Sequence, residues 1–127
     1  RVVLLGYVSE DELRWLYQNC FAFVYPSLFE GFGLPVLEAM SLGAPVICSN
    51  TTSLPEITGD AALLVDPRDP ESLASTMSDL LAGRVQREAL RLRGLDQARR
   101  FSWSASARCL LELYRELVQQ PKLADPP

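Results

Sequence analysis

The sequence predicts an α/β fold, a parallel sheet of about four strands with helices on both faces. Three observations predict it. Short apolar runs, Val2–Leu5, Phe21–Tyr25, Val46–Cys48 and Ala62–Val65, recur along the chain. Between them lie segments whose apolar residues fall at helical spacing. A glycine-rich turn, Glu30 to Leu34, joins the second run to the helix after it. With 127 residues and 48% hydrophobic content, the chain is long enough for one core and too short for two.

Each element has a local cause. Val2–Leu5 reads as a buried-type strand ended by Gly6. Ser9 and Glu12 have the spacing of a capping box, and the helix they open places Leu13, Leu16, Tyr17 and Cys20 on one face. Phe21–Tyr25 is the second strand. The helix after the glycine turn runs from Pro35 to about Leu42. Pro35 suits its first position, where an N–H has no intrahelical partner. Gly43 suits the residue just past its end, and Pro45 prevents continuation. Val46–Cys48 is the third strand. Ser53 and Glu56 repeat the capping spacing before a short turn, and Ala62–Val65 is the fourth strand. Asp69-Pro70-Glu71 opens a helix with cap, proline and acid in the favoured order, and Leu73, Met77, Leu80 and Leu81 give it an apolar face. Another helix covers Gln86 to Arg99. Ser102 caps a last helix with Trp103, Ala107, Leu110, Leu111, Tyr114 and Leu117 on its apolar side. Pro121 to Pro127 reads as a disordered tail, so residues 1–118 are the expected domain and 119–127 the tail. The strand–helix alternation makes the sheet Rossmann-like. Ligands in such sheets bind beyond the carboxyl ends of the strands, where Gly6, Ser27 and Ser49 fall.

The glycine turn is the part with chemistry in it. Free N–H groups of Gly31, Phe32, Gly33 and Leu34 at a helix start can face an anion, and the helix dipole adds positive charge there. Glycine lets the backbone approach a phosphate closely. Glu38 lies one turn into the helix, and helical side chains lean back towards the N-terminus. A carboxylate repels phosphate but accepts hydrogen bonds from sugar or ribose hydroxyls. Glu30 and Glu38, on either side of the turn, therefore suit a ligand with both phosphates and hydroxyls. Such turns also occur in many α/β proteins without this role, and a glutamate like Glu38 is equally compatible with a solvated helix face.

Composition excludes several classes. A net charge of −4 argues against a general nucleic-acid binder. Six of the twelve basic residues lie between Arg84 and Arg100, either as a solvated helix face or as a patch for an anionic membrane or partner domain. Cys20, Cys48 and Cys109 form no C-x-x-C pair and read as buried free thiols of a reducing cytosol. With no histidine, a zinc site or histidine-based triad is not expected, and no metal is assigned. No apolar run is long enough to span a bilayer. The chain begins at Arg1 and enters a strand almost at once, which reads as a piece of a longer protein. Asn50-Thr51-Thr52 matches a glycosylation sequon by chance in this setting.

The run Pro26-Ser27-Leu28-Phe29-Glu30-Gly31-Phe32-Gly33-Leu34-Pro35-Val36-Leu37-Glu38-Ala39-Met40 resembles the E-x7-E segment of family 4 (group 1) retaining glycosyltransferases, which have the GT-B fold. Leu4 to Ser9, Leu42 to Ile47, Leu54-Pro55-Glu56-Ile57, Leu63 to Pro67 and Phe101-Ser102-Trp103 resemble the same family in order. The resemblance covers residues 1 to about 118. It implies that Gly31, Phe32, Gly33 and Leu34 contact the donor's diphosphate and sugar. It makes Glu30 the catalytic-site carboxylate, on the donor-sugar hydroxyls, and puts Glu38 on the ribose. Tyr7 and Val8 would border the nucleobase, although Tyr7 is equally compatible with a surface aromatic. The implied donor is a UDP-, GDP- or ADP-linked sugar bound as substrate, with no cofactor. The implied setting is cytoplasmic, peripheral at the inner face of a membrane if the parent protein makes that contact.

The resemblance also implies absent parts: an amino-terminal acceptor domain, and the first two βα units of the donor domain with the Arg and Lys that grip the diphosphate. The family's strand order, 3-2-1-4-5-6, would leave a two-strand gap between Val2–Leu5 and Phe21–Tyr25. Three outcomes are expected: pairing across the gap, dimerisation or swapping through exposed edges, or dependence on the absent part. Two other functions compete, a non-catalytic α/β binding or assembly module and another GT-B activity such as a sugar-nucleotide epimerase or a phosphorylase. A dinucleotide-dependent oxidoreductase is disfavoured, since Val36 stands where G-x-G-x-x-G needs its third glycine. The lone lysine, Lys122, lies in the tail, so the chain by itself is expected not to catalyse transfer. A radiolabelled-donor assay on the isolated chain checks this, and detectable product would refute it.

Overall fold

The computed structural model describes residues 1–119; of the expected tail, residues 120–127 lie outside them. The elements run α1 (Glu10–Asn19), β1 (Phe23–Tyr25), α2 (Leu34–Ser41), β2 (Val46–Ser49), α3 (Leu54–Thr58), β3 (Ala62–Val65), α4 (Pro70–Leu81), α5 (Arg87–Arg99) and α6 (Trp103–Gln119). The sheet is parallel, in the order β1-β2-β3. Phe23 pairs with Val46 and Tyr25 with Cys48; Val46 in turn pairs with Ala62 and Ser49 with Val65. The α/β class and the parallel sheet are as the sequence predicts.

The central strand explains the layering. Every residue of β2 is buried, because helices cover both sheet faces. On one face, Val46 and Cys48 pack with Tyr17 of α1, Val36, Ala39 and Met40 of α2, Leu54 of α3 and Ala98 of α5. On the other, Ile47 packs with Val65 and Leu80, joined by Val24, Leu63 and Leu73. Burial pushes the Cys48 thiol up to about 11. Cys20 is half-buried, whereas Cys109 is exposed, contrary to the expected burial of all three thiols.

The caps follow the sequence closely. Glu12 N–H donates to Ser9 Oγ at 3.3 Å, and Ser9 N–H donates back to the Glu12 carboxylate at 2.8 Å, completing the capping box. Gly43 takes φ +82°, and Ala44 N–H closes onto Ala39 O at 2.9 Å, so α2 ends in a Schellman turn. Asp69 Oδ1 accepts from the Glu71 and Ser72 amides at the start of α4. Pro35 falls at the second helical position rather than the first, with Gly33 as the N-cap. Proline is tolerated there for the same reason, since the first turn has no internal acceptor for its missing N–H.

Three expectations are corrected. Val2–Leu5 forms no strand, so the described sheet has three strands rather than four. Its residues are open to solvent, Leu4 at 93%, and it does not close on the free edge of β1. An extended segment becomes a strand only when a neighbour takes its N–H and C=O groups, and the free edge of β1 is not used in that way. On α4, Leu80 is buried but Leu81 is 68% exposed. Leu81 and Met77 line an open apolar groove beside β1, with Phe21, Val24 and Ile47. The apolar side of α6 is uncovered, with Trp103 at 84% and Tyr114 at 56% exposure, which agrees with the resemblance, in which the last helix crosses back towards the amino-terminal domain. Finally, Ser53 does not cap α3; its hydroxyl is turned elsewhere.

The basic run from Arg84 to Arg100 is largely engaged locally. Arg84 pairs with Asp79, Arg91 with Glu88 and Arg100 with Asp96. Arg87 donates to Phe21 O at 3.0 Å and lies over the Phe21 ring.

Helix α5 reaches the core through Gly94, where a Cβ would lie 3.4 Å from Met40 Cγ and 3.8 Å from Met40 Cα. A large side chain there has to push α5 off α2. Gly94→Leu is expected to destabilise the fold by about 1–3 kcal/mol, the usual cost of overpacking, read as a lower urea midpoint at unchanged slope.

Candidate functional site

The glycine turn lies just beyond the carboxyl end of β1 and enters α2 directly. Gly33 forces the change of direction. Its φ of +103° lies in the left-handed region, and a Cβ there would stand 2.6 Å from Leu54 Cδ2. Only glycine fits both the conformation and the space. From Gly33 the chain becomes helical at once, and Gly33 O accepts from the Val36 and Leu37 amides.

A second loop holds the turn in place. Ser53 Oγ donates to Phe32 O at 2.8 Å and lies 3.3 Å from Glu30 O. The Glu30 amide donates to Thr52 Oγ1 at 3.3 Å. Thr52 has φ +56°, which a β-branched residue seldom adopts. This local strain is stored where the loop after β2 grips the turn. A third segment arrives from the far end of the chain: the Phe101 ring meets Phe32 edge-on, with centroids 6.1 Å apart. The carbonyls of Glu30 and Phe32 are thus used internally. The amides of Gly31, Phe32 and Gly33 have no hydrogen-bond acceptor among the described residues. Such amides at a helix start form an anion-binding surface.

The two glutamates have different surroundings. Glu30 is half-buried, and Tyr25 Oη donates to its Oε1 at 2.5 Å. That bond, with a smaller contribution from the Ser27 side chain, holds the Glu30 carboxyl below its ordinary pKa. Glu38 is exposed on α2 and lines an open cleft of about 570 Å³ between α1 and α2. Glu10, Arg14 and Tyr17 line the same cleft from α1. Burial pushes the Tyr17 phenol up, and the charge of Glu38 pushes it further.

The structure brings together Glu30, Gly31, Phe32, Gly33 and Leu34 on one turn and places Glu38 in the adjoining helix. Tyr7 and Val8 stand apart from this group. Tyr7 is 94% exposed, and Val8 lies in a separate apolar groove with Leu5, Glu12, Trp15 and Leu16. Sequence reading missed Tyr25, Thr52 and Ser53. Tyr25 was legible only as the last residue of a strand. Ser53 carried a capping signal that pointed to the wrong partner.

A parallel α/β sheet thus presents, beyond the end of β1, a glycine turn with acceptor-free amides between two carboxylates. The family model described as "Glycosyl transferases group 1" matches residues 1–97, and the chain belongs to that family. It is 48% identical to O-antigen chain mannosyltransferase B of Escherichia coli over 113 residues, 89% of this chain and 30% of that protein. It is 37% identical to the serotype-specific mannosyltransferase WbdA of Escherichia coli over 125 residues, 98% of this chain and 15% of that protein. Among solved structures, sucrose-phosphate synthase from Thermosynechococcus elongatus superposes with a TM-score of 0.81 at 33% identity, covering 93% of this chain and 30% of that one. The chain thus spans less than a third of these relatives. Its fold is that of part of a GT-B glycosyltransferase. No helix of the described residues is long and apolar enough to cross a membrane.

Because Gly33 fixes the turn, Gly33→Ala is expected to cost about 1–3 kcal/mol in urea unfolding, through strain and the clash with Leu54. Backbone amide shifts of residues 31–34 in the folded variant are expected to move, and those of β3 to stay.

Proposed function

We propose that this chain forms the donor-binding part of a retaining glycosyltransferase that moves a sugar from a nucleotide-sugar to an acceptor hydroxyl. The observation that carries the reading is the arrangement at the start of α2: amides of Gly31 to Gly33 without internal acceptors, with Glu30 before them and Glu38 one turn beyond. In this reading the diphosphate sits on the amides of Gly31, Phe32, Gly33 and Leu34, stabilised by the α2 dipole. Glu30 accepts hydrogen bonds from donor-sugar hydroxyls, and Glu38 accepts them from the ribose. Tyr7 and Val8 border the base once the arm that carries them is held against the site.

The acceptor oxygen attacks the anomeric carbon on the face from which the phosphate departs. The carbon–phosphate oxygen bond breaks, the new glycosidic bond forms, the diphosphate leaves with the electron pair, and its departing oxygen takes the proton of the acceptor hydroxyl. The protein's task is preorganised stabilisation of that departing charge. Glu30 then acts by position and field rather than as a nucleophile. The names of two relatives, both mannosyltransferases, support a hexose, mannose first, as the transferred sugar. The nucleotide-sugar is a substrate, and the reading needs no resident cofactor or metal. An acceptor-binding domain outside this chain is part of the same proposal, as is a cytoplasmic setting, supported by three unpaired thiols.

Calorimetry of the intact protein carrying this chain tests the assignment. Glu38→Ala is expected to weaken nucleoside diphosphate binding about tenfold, the loss of one or two hydrogen bonds to a charged acceptor. Glu30→Ala is expected to spare nucleoside diphosphate affinity and abolish the extra affinity for the nucleotide-sugar. Unchanged binding in both variants would sink the reading and favour an assembly module.

A further inference from the structure

We propose that Tyr25 is the positioning residue of Glu30: its hydroxyl occupies one carboxylate oxygen and thereby presents the other to the donor sugar. The proposal rests on the donor-site reading and adds a residue to it.

The geometry fixes both partners independently. Tyr25 ends β1, and its ring stacks on Phe23 with centroids 5.7 Å apart and planes 23° apart. Phe23 meets the ring of Tyr17 edge-on at 5.1 Å, and Tyr17 is 6% exposed within the core. The phenol therefore stands at the end of a packed column of three rings. Such pairs resist rotation because each ring has a preferred offset or edge contact. The backbone of Glu30 is held separately, its amide by Thr52 and its carbonyl by Ser53. What remains free is the Glu30 side chain, and the Tyr25 hydroxyl takes hold of it at Oε1, 2.5 Å away. That length belongs to the charge-assisted class.

The consequences are chemical. An ionised carboxylate only accepts hydrogen bonds, and it has about four lone-pair sites. With one committed to Tyr25, Oε2 and the outer side of Oε1 remain for ligand hydroxyls. The bond favours the charged form, so Glu30 reads hydroxyls and does not supply a proton. It also withdraws electron density, which suits a positioning carboxylate better than an attacking one. The pKa directions agree from both ends: Glu30 is lowered chiefly by Tyr25, and Tyr25 is raised chiefly by Glu30. The Ser27 hydroxyl adds a smaller lowering of the same carboxyl, and the Thr52 hydroxyl is engaged by the Glu30 amide instead. The same ring column starts at Tyr17, which lines the cleft of Glu38. One column of aromatic packing thus reaches from the neighbourhood of one carboxylate to the other.

The test uses Tyr25→Phe, which keeps the ring and its stack and removes only the hydroxyl. In carbon-13 spectra of the side-chain carboxyls, the Glu30 resonance is identified by its absence in Glu30→Gln. It is expected to titrate at higher pH in Tyr25→Phe than in the wild type; an unchanged midpoint overturns the proposal. The reciprocal measurement serves if Tyr25→Phe fails to fold. Glu30→Gln is expected to lower the pH at which one phenol ionises by ultraviolet titration, and no change overturns the proposal. For function, the affinity ratio of GDP-mannose to GDP, then of the matching UDP and ADP pairs, is measured in the intact protein. Tyr25→Phe is expected to reduce that ratio about tenfold while GDP affinity holds. A ratio kept in Tyr25→Phe but lost in Glu30→Ala overturns the role of Tyr25 alone. A ratio kept in both variants overturns the donor-site reading itself, and the proposal with it.

Discussion

Gly33 carries a left-handed backbone into a space that Leu54 leaves too small for a Cβ. The turn, the seat of α2 and the direction of the Gly31 to Gly33 amides all depend on that contact. Leu54 is itself fully buried at the start of α3, so the turn is referenced to the core rather than to solvent. A rigid reference matters because anion binding by backbone amides works through preorganisation. Donors that must reorient on binding lose much of their value. The hydroxyl of Ser53 and the edge of Phe101 add two further constraints, from segments distant in the chain.

Around that centre the protein divides its charges by task. Most of the arginines of α5 and its approach are spent on local pairs and on Phe21. Exposed pairs of this kind contribute little to stability; they keep the helix surface solvated. The glycine turn receives its positive character from amides and the α2 dipole, while Arg14 and Glu38 line the same α1–α2 cleft. Glu30 and Glu38 are consequently not equivalent. One is braced by a phenol at the end of a strand, and the other is open to a cleft.

The surface is unevenly finished. β2 is buried throughout, yet the arm before α1, the groove beside β1 and the apolar side of α6 remain uncovered. Apolar surface of this extent marks interaction surfaces in folded proteins. The groove includes Val24 of β1, whose outer edge pairs with no strand among the described residues. The core needed for the site is complete without these surfaces: Tyr17, Met40, Cys48 and Leu54 share one cluster.

The sequence by itself determined the elements whose causes are local. The Ser9–Glu12 box, the Gly43 turn and the Asp69 cap all form as written, because each is closed by residues two to five apart. It also determined the glycine turn and the carboxylates on either side of it, since Gly33 has no substitute at its φ. Only the tertiary structure decided which polar groups answer one another across the fold. Ser53 has the spacing of a cap, but its hydroxyl donates to the carbonyl of Phe32 and makes no cap bond to α3. Tyr25 ends a strand, and nothing in its neighbours says that its hydroxyl will find Glu30. Val2–Leu5 has the composition of a strand, but a strand requires a second strand in register, and that requirement cannot be read from one segment. Hydrogen bonds and pairings between distant segments depend on where the packed core places their backbones, which is a property of the whole chain and not of its local pattern.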